Sequence, residues 1–431
     1  MVSLWSDSVS LPERCRLEGD LRTDVLIIGG GMAGILCAHF LRQEGIDYAL
    51  VESDRIGSGI TGNTTAKITS QHGLIYDRLI RSYGKERAGK YLHANQWAVD
   101  QYAQLCREID CGFEYKDAYI YSLSDRKSIQ QETKAAEKLG MAAVYTELTE
   151  LPFRVAGAVK FPAQAQFHPM KFISGLATGL NIYEHTVMRE MGDHWIATDK
   201  GKVYAKAIIV ATHFPVLNKH GSYFLKMYQH RSYVLALKNA ANVKGMYLEE
   251  RKNGISLRNY EDLLLIGGGD HRTGHRGGNW QELRRFAGKY YPAAEEKYHW
   301  AAQDCMSLDG IPYIGHYSRN TPDLYVATGF NKWGMTSAMI AAKLLTEQLA
   351  GRKNEYAEVF SPSRSILKPQ LLINGIEAVG NLVSFSKKRC PHLGCALKWN
   401  VYERTWDCPC HGSRFSEYGR VLDNPANGNM K

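Results

Sequence analysis

Residues 23–52 place a strand, a glycine-rich turn, a helix and a second strand in 30 residues, which narrows the possible folds sharply. Asp24-Val-Leu-Ile-Ile28 is a short apolar run rich in β-branched residues, the kind buried on both faces of a parallel sheet. Gly29-Gly-Gly31-Met-Ala-Gly34 follows at once. Residues 35–43 read as a helix, Gly45 suits its C-terminal stop, and Asp47-Tyr-Ala-Leu-Val51 is the second strand. This order predicts a parallel β-α-β unit with a right-handed crossover. In Gly29-x-Gly31-x-x-Gly34 the first glycine permits the tight turn, the second lets a pyrophosphate approach the backbone, and the third lets helix and strand pack closely. The helix start then offers free N–H groups and the positive end of its dipole to phosphates. Glu52, 18 residues after Gly34, stands where a carboxylate can accept hydrogen bonds from ribose hydroxyls. A ligand-free tight turn is the plain alternative, and the register of all these parts argues against it.

Two further segments, residues 207–212 and 323–329, have the same strand-into-loop character, and the second runs into a helix over 335–349 that stops at Gly351. Strands so far apart predict one doubly wound sheet interrupted by insertions at about 76–165 and 214–300. Alternating runs at 113–123, 232–237 and 263–266 predict that the insertions form a second, antiparallel-sheet domain. The expected organisation is a dinucleotide-binding domain from 20–75, 166–213 and 301–353, a substrate domain from 76–165 and 214–300, a linker over 354–370, and a small all-β domain over 371–431. The 431 residues are enough for two or three domains, and 44% hydrophobic with 23% charged residues excludes a largely disordered chain.

Two features favour FAD over NAD. The loop from Ser53 to Lys67, with Gly59, Thr61, Gly62 and Thr65, is rich in Gly, Ser and Thr and suits a flavin and its phosphates. Ala327-Thr-Gly329-Phe-Asn-Lys332-Trp-Gly334-Met-Thr336-Ser337 supplies a second glycine-rich helix start. Its N-terminus can face the O2/N1 edge of an isoalloxazine and stabilise the negative charge of the reduced ring. Lys332 either adds to that stabilisation or is an ordinary exposed lysine. At these residues the chain resembles the D-amino-acid oxidase and glycine oxidase superfamily of FAD enzymes. The resemblance covers about residues 20–350 and is specific at 29–52 and from Asp309-Gly-Ile-Pro-Tyr-Ile-Gly315 through Ser337. It implies an FAD domain, a substrate domain with an antiparallel sheet, and hydride abstraction from a carbon bearing an amine or hydroxyl. It assigns no catalytic residue. Arg231 has the geometry of a carboxylate clamp, and Tyr119, Tyr121 and Tyr233 could line a pocket. Surface arginine and core tyrosine are the ordinary readings of these four.

Four of the nine cysteines, Cys390, Cys395, Cys408 and Cys410, crowd into 21 residues and are interleaved with histidines, which suggests metal before structural disulfides. Cys390-Pro-His392-Leu-Gly-Cys395 and Cys408-Pro-Cys410-His411-Gly-Ser413 each offer a Cys and a His, with 15 residues between His392 and Cys408. A tetrahedral zinc site would use two Cys and two His. A Rieske 2Fe–2S centre would put two Cys on one iron and two His on the other. The zinc reading leaves Cys395 and Cys410 without a role. The two loops resemble those of Rieske proteins almost residue for residue. That resemblance implies that Cys390 and Cys408 ligate the inner iron, that His392 and His411 ligate the outer iron, and that Cys395 and Cys410 join the loops as a disulfide. Ser413 supplies a hydroxyl at the family's position, whereas Phe415 stands where high-potential members have a tyrosine. Hydrogen bonds to the sulfurs raise the potential, so a value below that of the respiratory proteins is expected. Only residues 371–389 precede the first loop, where such domains usually have several strands. An abbreviated domain of this size is expected to lean on the flavin domain.

The formal charge is +9, and residues 361–431 carry 10 basic against 5 acidic side chains. That excess favours anionic ligands and is weak ground for nucleic acid, so no nucleic-acid partner is expected. No run has the length and apolarity of a membrane span. Met-Val-Ser-Leu-Trp-Ser-Asp has neither the basic nor the apolar region of a signal peptide, and a cytoplasmic protein is expected. A reducing cytoplasm counts against the disulfide, and burial between two loops counts for it. The whole predicts an FAD-dependent oxidoreductase acting on a small amine or amino-acid-like substrate, with electrons passing through a Rieske cluster to an external acceptor. The alternatives are an oxygen-using oxidase whose cluster is structural, and a redox-sensing interaction protein.

Overall fold

The computed structural model describes residues 2–216, 220–251, 253–277, 279–384 and 386–430. Strand Leu21–Ile28 ends in four buried apolar residues and forms the centre of the first sheet. It pairs in parallel with Tyr48–Val51 on one side and Lys202–Val210 on the other. Leu324–Thr328 continues the parallel order beyond Lys202–Val210, antiparallel Tyr313–His316 closes that edge, and Ile182–Tyr183 extends the opposite one. A hairpin, Met188–Met191 with Trp195–Thr198, joins the start of Lys202–Val210. Helix Met32–Gln43 packs against helix Gly334–Leu349, so the first and last glycine-rich helix starts come to one side of one sheet.

The second sheet has nine strands among the described residues. Its order runs from Glu295–Ser307 through Met227–Lys238, Leu263–Arg272, Ser256–Tyr260, Met246–Glu249, Glu114–Ser122 and Gly157–Gln166 to Lys67–Ile68, with Val144–Thr146 beside Gly157–Gln166. It is antiparallel except where Met246–Glu249 meets Glu114–Ser122 in parallel. That junction joins the two inserted segments, and no hairpin links them to impose an antiparallel return. Helix Tyr76–Leu105, kinked at Gly84, reaches back to the flavin side, where the Tyr102 hydroxyl donates to Met335 O at 3.0 Å.

The third unit is a four-stranded antiparallel sheet, Lys398–Asn400, Thr405–Asp407, Arg414–Ser416 and Val421–Asp423. Among the described residues its buried apolar cluster is Cys390, Cys395, Leu397, Cys408, Cys410, Phe415 and Ala426, too little to stand alone. Helix Pro369–Leu382 precedes it. The stretch between the second and third units is bound down: Val359 and Phe360 are buried, and Arg364 pairs with Asp309 at 2.8 Å.

Candidate functional site

Two glycines of the first turn are demanded by backbone packing. Gly29 has φ +110, and a Cβ there would lie 2.7 Å from Ala211 O. A Cβ on Gly34 would lie 1.9 Å from Gly29 O, which is the close helix–strand approach the motif requires. Gly31 differs: its Cβ would meet only Thr61 Oγ1, at 3.4 Å. Gly31 is the N-cap of Met32–Gln43 and has no side chain to cap with; Thr61 Oγ1 accepts the Met32 N–H at 3.0 Å. Glu52 accepts the Gly30 N–H at 2.7 Å and the Asp54 N–H at 2.9 Å, which holds its carboxylate beside the turn.

A cavity of about 940 Å³ runs from Gly29, Gly31, Glu52 and Thr61 to Lys332 and Gly334. Four predicted residues do not line it. Gly34 and Gly329 shape the turns behind it; Gly329, at φ +70, packs against Tyr313, Met227 and Ser307. The Thr65 methyl lies toward Gly267, and Thr336 is buried with its hydroxyl 3.2 Å from His72 Nε2. The cavity fits a flavin dinucleotide: two helix starts face it, and the backbone is bared at Gly31 where a phosphate would approach.

At the far end stands a pair of acids that sequence reasoning missed. Asp304 lines the cavity from strand Glu295–Ser307; burial raises its carboxyl to about 6, with Lys332 opposing and Asp270 reinforcing the shift. It is still largely ionised at neutral pH. Lys332 Nζ is ion-paired with Asp270. Only the strand's register against its neighbours tells which of its side chains reach the cavity. Arg231 does clamp a carboxylate, but it is that of Glu403 in the third unit, with Arg231 Nε donating to Glu403 Oε1 at 2.9 Å. Tyr119, Tyr121 and Tyr233 belong to the packing of the second sheet: Tyr119 stacks on Tyr247 at 4.6 Å, Tyr121 leans on Phe153, and the Tyr233 hydroxyl meets His271 Nε2 at 3.0 Å.

The cysteine–histidine loops are built alike. The Gly394 N–H bonds to Cys390 O and the Gly412 N–H to Cys408 O, both at 2.9 Å, with both glycines at positive φ. Cys390 N–H donates to Cys395 O at 2.9 Å, and Cys408 N–H to Ser413 O at 2.8 Å. The Cys390 thiol is pulled below its usual range, first by Cys408 and then by the N–H groups of His392 and Leu393 and the Ser413 hydroxyl, against burial. Cys395 and Cys410 are joined as a disulfide. Cys395, Cys408 and Cys410 have sulfurs within 4.8 Å of one another, but the disulfide spends two of them and leaves Cys390 and Cys408 as the buried free thiols that could hold a metal. The rings of His392 and His411 lie 5.0 Å apart at 87°. Burial lowers them to about 4 and about 3 respectively, so both are neutral, the form that ligates metal. His411 Nδ1 is buried and has no hydrogen-bond partner among the described residues. Two thiols with N–H donors and two neutral imidazoles fit a 2Fe–2S centre of Rieske type.

The second of these loops docks on the second sheet. Gln229 donates to His411 O at 2.7 Å, Gln303 to Gly412 O at 2.9 Å, and Arg272 to Pro409 O at 3.1 Å. Residues 211–214 belong to both sites. Ala211, Thr212 and His213 line the flavin cavity, while the Phe214 ring lies 6.4 Å from that of His411. Asn424 of the third unit donates to Thr212 O at 2.7 Å and Phe214 O at 2.8 Å, and it also lines the cavity. Among the described residues no helix is long and apolar enough to cross a membrane.

A family model described as FAD dependent oxidoreductase matches residues 24–348, and one for the Rieske [2Fe-2S] domain matches 350–431. The chain is 35% identical to the putative Rieske 2Fe-2S iron-sulfur protein YhfW of Bacillus subtilis (strain 168), over 98% of this chain and 95% of that protein. It is 22% identical to the gamma-glutamylputrescine oxidoreductase of Escherichia coli (strain K12), over 78% of this chain and 85% of that one. The crystal structure of glycine oxidase from Geobacillus kaustophilus superposes with a TM-score of 0.67 at 19% identity, over 80% of this chain and 99% of that chain. The last similarity is one of fold.

Proposed function

The chain belongs to the FAD-dependent oxidoreductase family and carries a Rieske 2Fe–2S domain, with FAD and the cluster as its cofactors, and from that premise we propose a relay enzyme. It oxidises a small amine or amino-acid-like substrate in the cytoplasm and passes the electrons through the cluster to an acceptor outside the chain. When bound, FAD takes a hydride from the substrate carbon and the cluster carries electrons singly. The observation that carries the reading is the short run 211–214, in which Ala211, Thr212 and His213 line the flavin cavity and the Phe214 ring lies 6.4 Å from that of His411.

The chain's own groups bind and orient. The helix starts at Gly31 and Gly334 offer N–H groups to the phosphates and to the edge of the reduced ring, and Glu52 serves the ribose. Thr61 holds the first helix turn by accepting the Met32 N–H. Asp304, with Asp270 behind it, offers negative charge where a cationic amine would sit, and Lys332 balances that charge. Two relatives of this fold are named for amine and amino-acid oxidation, which supports the substrate class.

A screen of amines, amino acids and hydroxy acids without oxygen, read by bleaching of the flavin absorbance, tests the substrate class. His411→Ala tests the relay. The variant should keep substrate-dependent bleaching and lose reduction of a one-electron acceptor. Wild-type acceptor reduction by that variant would overturn the relay and leave an oxygen-using oxidase with a structural cluster.

A further inference from the structure

Helix Pro369–Leu382 turns its polar side chains inward and its apolar ones outward. Asn374 is buried, accepting from Arg272 Nη1 at 3.0 Å and donating to Leu225 O at 3.3 Å. Asn381 is buried, with its side-chain amide donating to Glu377 Oε1 at 2.7 Å, and its backbone carbonyl accepts the Ala396 N–H at 3.0 Å. Glu377, the helix's acid, pairs with His275 at 2.9 Å. These bonds fix which face points away from the protein. On that face Leu372, Ile376 and Val379 are 69%, 66% and 62% exposed, and Val383 continues it at 70%. Their spacing of i, i+4, i+7 and i+11 makes one continuous stripe, unlike the scattered apolar residues of an ordinary surface. Leu367 and Leu371 widen it into a shallow apolar groove.

Lysines stand at both ends of this stripe. Lys368 lines the groove at the start of the helix, and Lys387 and Lys388, both exposed, follow its end, while Arg389 is spent on backbone carbonyls. At 14 residues the helix is about 21 Å long, shorter than the hydrocarbon core of a bilayer, so it can lie on a membrane but not cross it. An apolar stripe with exposed lysines at its ends is complementary to anionic headgroups above acyl chains. A second copy of the chain fits less well, because a two-fold interface on this stripe would bring two basic frames together.

We propose that this face docks the protein on an anionic phospholipid bilayer surface, with helix Pro369–Leu382 lying in the headgroup boundary. The Arg389 guanidinium donates to Leu382 O at 3.0 Å and to Gly394 O at 3.2 Å, which ties the first cluster loop to the end of the docking helix. Docking therefore brings the loop that carries Cys390 and His392 to the bilayer.

Flotation of the holoprotein with vesicles tests this without reference to turnover. Vesicles of phosphatidylglycerol with phosphatidylcholine should carry the protein at low salt, and phosphatidylcholine alone should bind it about tenfold or more weakly. Leu372→Asp with Ile376→Asp should weaken binding by about a hundredfold. Lys387→Gln with Lys388→Gln should weaken it about tenfold and flatten the salt dependence. Flavin and cluster spectra report whether each variant is intact. If the aspartates unseat the helix, Leu372→Ser with Ile376→Ser makes the same test more gently. No flotation at low salt, or flotation that none of the intact variants weakens, overturns the proposal. So does a stable dimer that Leu372→Asp dissociates while vesicle binding is absent.

Discussion

The cavity that fits the flavin is lined by backbone from places as far apart as Gly31 and Gly334, whereas the candidate cluster site draws side chains from two short loops, residues 390–395 and 408–413. In the cradle a residue matters through what it lacks. A Cβ on Gly29 or Gly34 collides with backbone, and a Cβ on Gly31 reaches only a hydroxyl. In the cluster site a residue matters through what it carries: two thiols, two imidazoles and one hydroxyl aimed at a sulfur. The first kind of site is spread through the fold and depends on the whole sheet. The second is local, but its domain has so small a core that it depends on docking.

The sharpest way to break that contrast is inside the glycine turn. Gly34→Ala sets a methyl 1.9 Å from the Gly29 carbonyl oxygen, which cannot swing aside. A cost above about 4 kcal/mol is expected, with loss of bound FAD and a much lower melting temperature. Gly31→Ala meets only Thr61 Oγ1, so its melting temperature without added FAD should hold while FAD affinity falls about tenfold or more. Calorimetry with FAD titration checks both. Equal destabilisation by the two substitutions would show that Gly31, too, serves packing.

The same contrast explains what could be read without coordinates. The parallel strands of the first sheet were visible because runs such as Asp24-Val-Leu-Ile-Ile28 are apolar on both faces. The candidate cluster ligands could be named one by one because their chemistry lies in residue type at fixed spacing. In the flavin loops composition alone could not tell Thr61, which faces the cavity, from Thr65 and Thr336, which do not. Arg231 and Glu403 are 172 residues apart, and no local pattern predicts their meeting. Helix Pro369–Leu382 was hidden differently: an apolar stripe in sequence reads as a buried face, and here it is the exposed one.

That Arg231–Glu403 contact sets the second test, on how far the cluster domain relies on docking. Burial pushes the Glu403 carboxyl up, but Arg231 and Arg414 overcome it and hold it at about 2. The ordinary value is 4.5, so the folded value is depressed. Its contribution is therefore full above about pH 4.5 and is lost as pH falls toward 2, amounting to about 3 kcal/mol. Glu403→Gln leaves Arg231 and Arg414 buried beside a neutral amide and should cost about 3 kcal/mol at neutral pH. The variant's melting temperature should also fall less steeply through the acid window than the wild type's. Parallel acid limbs for the two proteins would remove Glu403 as the titrating group and weaken the case for docking through it.

The smallest effect probes the side-chain site alone. Ser413 is fully buried, and its oxygen accepts the Ala426 N–H at 3.0 Å while its hydroxyl points to Cys390 Sγ. Phe415, also fully buried, packs in the same small core as Cys390, Cys408 and Cys410. The Rieske resemblance puts a sulfur-bonding tyrosine hydroxyl at this position in high-potential members, and a buried hydroxyl left unbonded is costly. Phe415→Tyr should therefore raise the cluster potential by on the order of tens of millivolts, and Ser413→Ala should lower it by a similar amount. A redox titration followed by EPR measures both shifts. The flavin potential should stay fixed, since neither residue lines its cavity. If Phe415→Tyr lowered stability without moving the potential, its hydroxyl would be buried and unbonded, and the low potential expected of this cluster would need a cause other than the missing tyrosine. If Ser413→Ala moved both potentials, the two sites would be coupled through residues 211–214 more tightly than the contrast between them allows.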